Sequence, residues 1–429
     1  MENKKNLKRS PFIYGRPLKP HEFFDRDQNI REVWDGIIKG MSIAISGKPK
    51  IGKTSLINKI KDKDSFKSAK ELKDEQVSSF VFLYIDTSTL KPNFTPNDFW
   101  KSIGLKLQKT FYNNEAFKNL NSLKVNQEYV HDLFDRIEEF KIRLVLILDE
   151  FEVLLNHPHF RDYSFWAQIR SLATTRSFVV IISISSHVKE IEDKGRELLD
   201  RGSPLFNYFK EIRLKAFDEK LALKFLNIVT PSWPDDYKKT IINLAGTHPA
   251  LIQLVGDKLF HINPKGLNRE IVNNFLSELQ TMSNNFFSEI WEFSKISEKY
   301  AAYVILVKGL RNMNLNNLHL NNFLKSAIRN IDIPTLLSYA IVQEGLQSLK
   351  NLGLIYEESN DFFPYNLFLF WLLQNSESIQ EEIYGLLNSQ SEKMRNNFHA
   401  NVLKGFGNTI FNAFFNNIVT ILLKAFLKT

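Results

Sequence analysis

Four short apolar runs punctuate the first half of the chain, at 41–46, 80–85 (FVFLYI), 144–148 and 178–184, and the mixed segment 211–214 is a candidate fifth strand. The long continuous runs predict strands covered on both faces rather than ones with a wet side. Helical spacing separates them. A helix is predicted to begin at Ser55, another stretch carries Phe99, Ile103, Leu107 and Phe111 at fourth positions within 97–140, and a third lies around Phe165–Leu172. Strands that alternate with helices predict an α/β fold with a parallel sheet. After Leu214 the strand signal stops. Helices are predicted over 220–229, 236–244, 250–260 and 270–280, and again through 286–350 between polar, Asn-rich turns such as 311–317. Gly353–Tyr356 and Phe362–Phe363 then flank the polar segment 357–361, the pattern of a two-stranded wing after a three-helix unit.

The last thirty residues differ in character. Leu403, Phe406, Ile410, Phe411, Phe414, Phe415, Ile418, Val419, Leu422 and Phe426 recur mostly at steps of three and four, with Asn412, Asn416, Thr420 and Lys424 opposite. Residues 398–429 contain no acidic side chain. This is an amphipathic helix with a wide apolar face. Ten such groups left in water would cost roughly 15 kcal/mol, so the face must be covered. Three occupants compete: the body of the same chain, another protomer or partner, and a membrane interface. The asparagines argue against a spanning segment.

Composition narrows the classes. With 43% hydrophobic and 24% charged residues over 429 positions, wholesale disorder and fibrous architectures are excluded, and two to four domains are expected. The absence of cysteine excludes a disulfide framework, a thiol nucleophile and thiolate metal sites, and fits a reducing cytoplasm. No apolar segment resembling a secretory signal opens the chain, and no run in the first 395 residues is long enough to span a bilayer. The net charge of +8 allows an anionic partner without demanding one, and part of it crowds the N-terminus at Lys4, Lys5, Lys8, Arg9, Arg16 and Lys19. His157-Pro158-His159 lacks the carboxylates that would make it a metal site.

Two motifs carry chemistry. Gly47-Lys48-Pro49-Lys50-Ile51-Gly52-Lys53-Thr54, followed by Ser55, satisfies G-x-x-x-x-G-K-[ST] between a predicted strand and a predicted helix. The glycines let successive amides turn toward one anion at the positive end of the helix. Lys53 is expected to reach the β- and γ-phosphates, and the Thr54 hydroxyl to ligate Mg²⁺. The second motif ends the third strand at Asp149-Glu150. Asp149 can hold Mg²⁺ through water, and Glu150 can deprotonate the attacking water, a pair that favours ATP hydrolysis over small-molecule phosphorylation. Ser183–His187 closes the fourth strand with polar groups able to sense a γ-phosphate. Arg170, Arg176 and Arg201 are candidate arginine fingers, and Arg201 is preferred as one acting in trans.

Taken in order, these motifs resemble those of STAND-type AAA+ ATPases, the bacterial and archaeal small switch ATPases. The likeness adds Pro11–Pro17, Phe24-Asp25-Arg26-Asp27, Leu146–Glu152, Ser203–Asn207 and Leu244–Pro249, and extends from residue 11 to about 375. Asp25 stands where the family box usually has glycine, and His187 where the fourth strand commonly ends in arginine. The resemblance implies a P-loop ATPase domain over 1–215, a helical lid over 216–283, a winged helix over 284–375 and a helical tail over 376–429. It further implies that Arg26 and the segment around Tyr14 contact the base or ribose, and that Pro249 reports nucleotide state to the lid. The expected function is an ATP- and Mg²⁺-dependent, slowly hydrolysing molecular switch in signalling or anti-invader defence, its nucleotide state controlling domain arrangement or oligomerisation. Two alternatives stand beside it: a DNA-associated ATPase of origin-recognition or transposition type, and an ATP-gated effector that acts at a membrane. The expected location is cytoplasmic or peripheral to the inner face of the membrane.

Overall fold

The computed structural model describes residues 9–62, 65, 79–118, 120, 124–198, 208–262, 268–312, 333–387 and, in the tail, 414–423 apart from 417 and 421. The chain divides into two compact units, one formed by Pro17–Lys48 and Gly52–Leu214, the other by Met1–Arg16, Pro49–Ile51 and Lys215–Thr429.

The first unit is the predicted α/β layer. Its strands are β1 (Ile43–Ser46), β2 (Ser79–Asp86), β3 (Ile142–Asp149), β4 (Phe178–Ile184) and β5 (Lys210–Arg213). They form one sheet in the order β2-β3-β4-β1-β5, and every pairing is parallel. β1, β3 and β4 are buried along their whole length, which is why, apart from Ser46, Arg143, Asp149 and Ser183, their residues are apolar. Helices α1 (Asp27–Lys39), α2 (Lys53–Ile60), α3 (Pro96–Thr110), α4 (Gln127–Glu139), α5 (Phe151–Asn156), α6 (Tyr163–Ala173) and α7 (Val188–Leu198) fill the connections. The single helical stretch expected over 97–140 is in fact α3 and α4. Thr95 caps α3 in a reciprocal box with Asp98, and Asn126 caps α4 through the Tyr129 amide. Edge-on aromatic rings join these helices under the sheet, with Phe99 and Phe165 at 5.1 Å and Phe134 and Phe178 at 5.2 Å.

One charged side chain is built into this core. Arg143, near the start of β3, is 2% exposed. Its guanidinium donates to the carbonyls of Arg176 (2.7 Å), Ile37 (2.9 Å) and Ile38. Two of these belong to the last turn of α1, where helical carbonyls lack intrahelical partners and a cation also meets the negative end of the helix dipole.

In the second unit, α8 (Glu219–Val229), α9 (Asp235–Ala245), α10 (Pro249–Phe260) and α11 (Arg269–Glu292) follow one another. The opening segment lies against them. Phe12 packs against Phe225 and Trp233, and Ile13 donates its amide to Gln253 Oε1 at 2.8 Å. A Cβ added at Gly256 would lie 2.3 Å from the Phe12 ring, so this close approach requires glycine. α11 runs unbroken for 24 residues, so the division expected at 283/284 falls inside a helix. Leu276, Leu279, Ser283, Phe286, Phe287 and Ile290 keep one buried face continuous through that point.

α12 (Ile296–Asn312), α13 (Ile333–Ser338) and α14 (Ala340–Asn351) precede an antiparallel hairpin of β6 (Ile355–Glu358) and β7 (Asp361–Pro364). α13 and α14 are separated at Tyr339, the N-cap of α14. α15 (Asn366–Gln374) and α16 (Ser376–Leu387) complete the described body. In the tail, Phe414, Ile418, Val419 and Leu422 are buried, and the Phe414 ring lies 4.8 Å from Phe370 of α15. Among the described residues, then, the apolar face of the tail is covered by its own chain. None of the described helices is long and apolar enough to cross a membrane.

Replacing Arg143 with Met keeps the stem and removes the donors, leaving buried carbonyls unmatched. The expected loss is roughly 3 kcal/mol of unfolding free energy, measured as a lowered urea midpoint at unchanged m-value.

Candidate functional site

A parallel sheet brings the C-terminal ends of its strands to one edge, and here that edge gathers the polar residues. β1 feeds directly into the loop 47–52, which leads into α2. Gly47 and Gly52 take φ of 156° and 107°, and the Gly47 amide still donates to the Ile184 carbonyl of β4 at 3.1 Å. No side chain caps the N-terminus of α2. Lys53 folds back over the loop: its Nζ donates to the carbonyls of Gly47 (2.6 Å) and Lys48 (3.2 Å) and lies 3.5 Å from Ser185 Oγ. Ser55 Oγ accepts the Leu18 amide at 3.0 Å, fixing the loop's far end.

Asp149 ends β3 and is 3% exposed. Thr54 Oγ1 donates to its Oδ2 at 2.9 Å, so the two predicted metal-binding groups are in direct contact. Tyr84 of β2 donates to the same Oδ2 at 2.9 Å, and Ser183 of β4 donates to Oδ1. Sequence reading did not single out Tyr84, and it took Ser183 only as part of a polar strand end. The signal for Tyr84 lies in the register. Tyr84 stands opposite Ile147 and Asp86 opposite Asp149, so the tyrosine shares a strand face with the residue beside Asp149 and reaches two positions along. Lys61, just past α2, sits 3.8 Å from the Tyr84 ring centroid. Burial pulls the Lys61 ammonium below the ordinary lysine range, with Asp149 opposing.

Glu150 takes a left-handed backbone, φ 54°. The strain is pinned from both sides. Its amide donates to Ser183 Oγ at 3.0 Å, and its carbonyl accepts Thr87 Oγ1 at 2.6 Å. The side chain does not cap α5. Burial raises the Glu150 carboxyl above the usual carboxylate range, the charges of Asp149 and Asp86 raise it further, and Lys53 opposes them. A carboxylate made more basic at a strand end suits proton abstraction from water. The hard oxygens of Thr54 and Asp149 suit Mg²⁺, which takes few protein ligands and shares the rest with phosphate and water. Among the described residues no cluster of three or more His, Asp or Glu offers a different metal site.

The other predicted residues fall into separate groups. Asp25 and Arg26 both adopt left-handed backbone, φ 57° and 65°. Asp25 thereby takes the turn for which glycine was expected, a conformation that aspartate tolerates better than most residues. Burial lowers the Arg26 guanidinium to about 10, with Asp25 opposing. Tyr14 is 38% exposed and lies in the second unit. So does Pro249, which opens α10 immediately after its N-cap His248. Gly246 in that motif has φ +70°, and a Cβ there would meet the Gly353 carbonyl at 2.1 Å, so only glycine fits. His187, the other departure from the family pattern, bonds through Nδ1 to Glu211 Oε1 at 2.9 Å, and Ser46 Oγ donates to the same oxygen at 2.5 Å. Arg170 donates to the Tyr208 hydroxyl at 3.0 Å. Arg201 and Ser203–Asn207 lie outside the described residues.

The five-stranded parallel sheet in the order β2-β3-β4-β1-β5, with the loop 47–52 between β1 and α2, has the strand order typical of the AAA+ fold. No family model and no curated protein matches the chain. Among solved structures, a Walker-type ATPase of Pyrococcus abyssi is 16% identical with a TM-score of 0.48, over 82% of this chain and 97% of that one. The ORC2 protein of Aeropyrum pernix is 15% identical with a TM-score of 0.43, over 85% and 94%. A STAND protein with a tetratricopeptide repeat sensor from Pyrococcus horikoshii is 13% identical with a TM-score of 0.35, over 98% of this chain and 53% of that chain.

The raised Glu150 carboxyl sets a pH dependence. The folded state holds this proton more tightly than the unfolded chain, so the group's contribution to stability is complete at low pH and is lost as pH rises through the folded value. Glu150→Gln removes that loss. The variant is expected to melt above the parent at pH 8, with the difference vanishing below the ordinary value of 4.5, as followed by calorimetric melts across that range.

Proposed function

We propose that this chain binds ATP with Mg²⁺ at the loop 47–54 and hydrolyses it slowly, as a molecular switch whose nucleotide state controls domain arrangement or oligomerisation. The observation that carries this reading is the 2.9 Å contact between Thr54 Oγ1 and Asp149 Oδ2, with Glu150 the next residue. It joins a hydroxyl from the first turn of the phosphate-loop helix to a carboxylate at the end of a buried strand. Bound Mg²⁺ would offset the charge of the phosphates. Lys53 exchanges its loop carbonyls for the β- and γ-phosphates, Thr54 and Asp149 hold the metal, and Glu150 takes the proton of the attacking water. Arg26 and Tyr14 serve the base or ribose, Pro249 reads nucleotide state, and Arg201 acts as a finger from a second copy. Signalling or anti-invader defence is the setting we favour, on the motif resemblance.

The hairpin after α14 is the feature that supports a DNA-associated ATPase, but its charge opposes one. Glu357, Glu358 and Asp361 line the hairpin, and Lys350, the basic residue of α14, is paired with Glu357 at 2.5 Å. Affinity for phosphate backbones grows with the number of free Lys and Arg contacts. A membrane role for the tail has less support, because its described residues are packed on Phe370.

Lys53→Ala is expected to weaken ATP binding at least tenfold, about 1.4 kcal/mol. Glu150→Gln is expected to keep binding while turnover falls by roughly 100-fold or more. Calorimetric titration with ATP and phosphate release check the two, and equal ATP affinity in Lys53→Ala and the parent would sink the reading. A filter-binding titration of duplex DNA should show no steep salt slope, whereas a slope of several units would restore the DNA alternative.

A further inference from the structure

The Asp149 carboxylate is unusually well supplied with donors. A carboxylate offers about four lone-pair positions, two on each oxygen. Oδ2 accepts both Thr54 and Tyr84, and Oδ1 accepts Ser183. Of these hydroxyls, Thr54 is itself a proposed metal ligand and Ser183 also accepts the Glu150 amide. Only the phenol of Tyr84 has Asp149 as its sole task. The ring is fixed as well. Lys61 is the C-cap of α2, the helix whose first turn presents Thr54, and its ammonium lies over the Tyr84 ring at 3.8 Å.

We propose that Tyr84 is a positioning residue for Mg²⁺: its hydroxyl occupies the second lone pair of Oδ2, fixes the carboxylate plane, and leaves Oδ1 as the oxygen that meets the hydrated metal. Lys61 holds the ring in place. The inference rests on the ATP reading above and deepens it, because it assigns the metal affinity of the site to a residue that touches neither phosphate nor metal. Groups that orient a metal ligand from behind commonly change affinity by about 10–100-fold when removed.

The test separates the metal from the nucleotide. Fluorescently labelled ATP is titrated into the full chain, first in EDTA and then at fixed ATP with increasing MgCl₂, for the parent and Tyr84→Phe, which keeps the ring. The expected result is unchanged ATP affinity in EDTA and a Mg²⁺ concentration for half-maximal response about tenfold higher in the variant. Equal Mg²⁺ requirements in parent and variant overturn the proposal. So does equal weakening with and without Mg²⁺, which would mean that the hydroxyl only supports the fold. If Tyr84→Phe does not fold, Lys61→Met carries the test, with a shift of a few-fold in the same direction expected and no shift counting against. A parent that binds labelled ATP no better than Lys53→Ala overturns the ATP reading itself, an outcome distinct from a parent that binds normally while Tyr84→Phe keeps its Mg²⁺ requirement.

Discussion

The site depends on satisfying the oxygens of one carboxylate buried inside a protein. Asp149 is 3% exposed at the end of a strand that is apolar from Leu144 to Leu148. Taking such a group out of water costs several kcal/mol unless hydrogen bonds replace the lost hydration. The replacements come from three places: Thr54 in the helix after β1, Tyr84 in β2 and Ser183 in β4. Only a sheet that sets β3 between β2 and β4, with the loop after β1 rising at the same edge, brings those hydroxyls together. Sheet order and site chemistry are therefore one constraint seen at two scales.

That constraint explains which parts were legible in the sequence. The phosphate loop and the Asp-Glu pair are contiguous strings, and the geometry they need is local, a turn or a strand end. The strands were legible because burial on both faces leaves long runs without a polar residue, as in Leu144–Leu148 and Phe178–Ile182. Tyr84 was not legible because its role is set by register across two strands separated by more than fifty residues, and within FVFLYI it reads as one more apolar strand residue. Ser183 carried a weak signal for the same reason: a serine at a strand end is common, and what distinguishes this one is the carboxylate on the neighbouring strand.

The helical half shows a different limit. Periodicity located α8, α9 and α10 well, because each has a buried stripe, and α8 and α10 also carry side-chain caps, Asp218 and His248. The division at 283/284 that the resemblance implied falls inside α11, where the sequence is mostly polar over Gln280–Asn285 while Ser283 stays buried and the aromatic pair Phe286–Phe287 resumes the same stripe. Polar positions on the outer face of a long helix are indistinguishable in sequence from a turn unless they include a residue that stops a helix. The tail posed the reverse problem: the pattern declared an apolar face but could not name its cover, which for residues 414–423 includes the ring of Phe370.

Backbone strain gives the final step. Among the described residues seven non-glycine positions have positive φ, and four of them are Asp25, Arg26, Lys50 and Glu150. Left-handed backbone at a residue with a Cβ costs about 1–2 kcal/mol each, so it persists only where the surroundings enforce it. Lys50 lies in the phosphate loop and Glu150 at the end of β3, the two segments joined by the Thr54–Asp149 contact. At Glu150 the enforcement is visible, since Ser183 holds the amide and Thr87 the carbonyl. A glycine there would relieve the strain but carry no carboxylate, so the chain accepts the conformation for the sake of the side chain. Stability given up at one residue, with two hydrogen bonds committed to holding it, supports the chemical role proposed for Glu150.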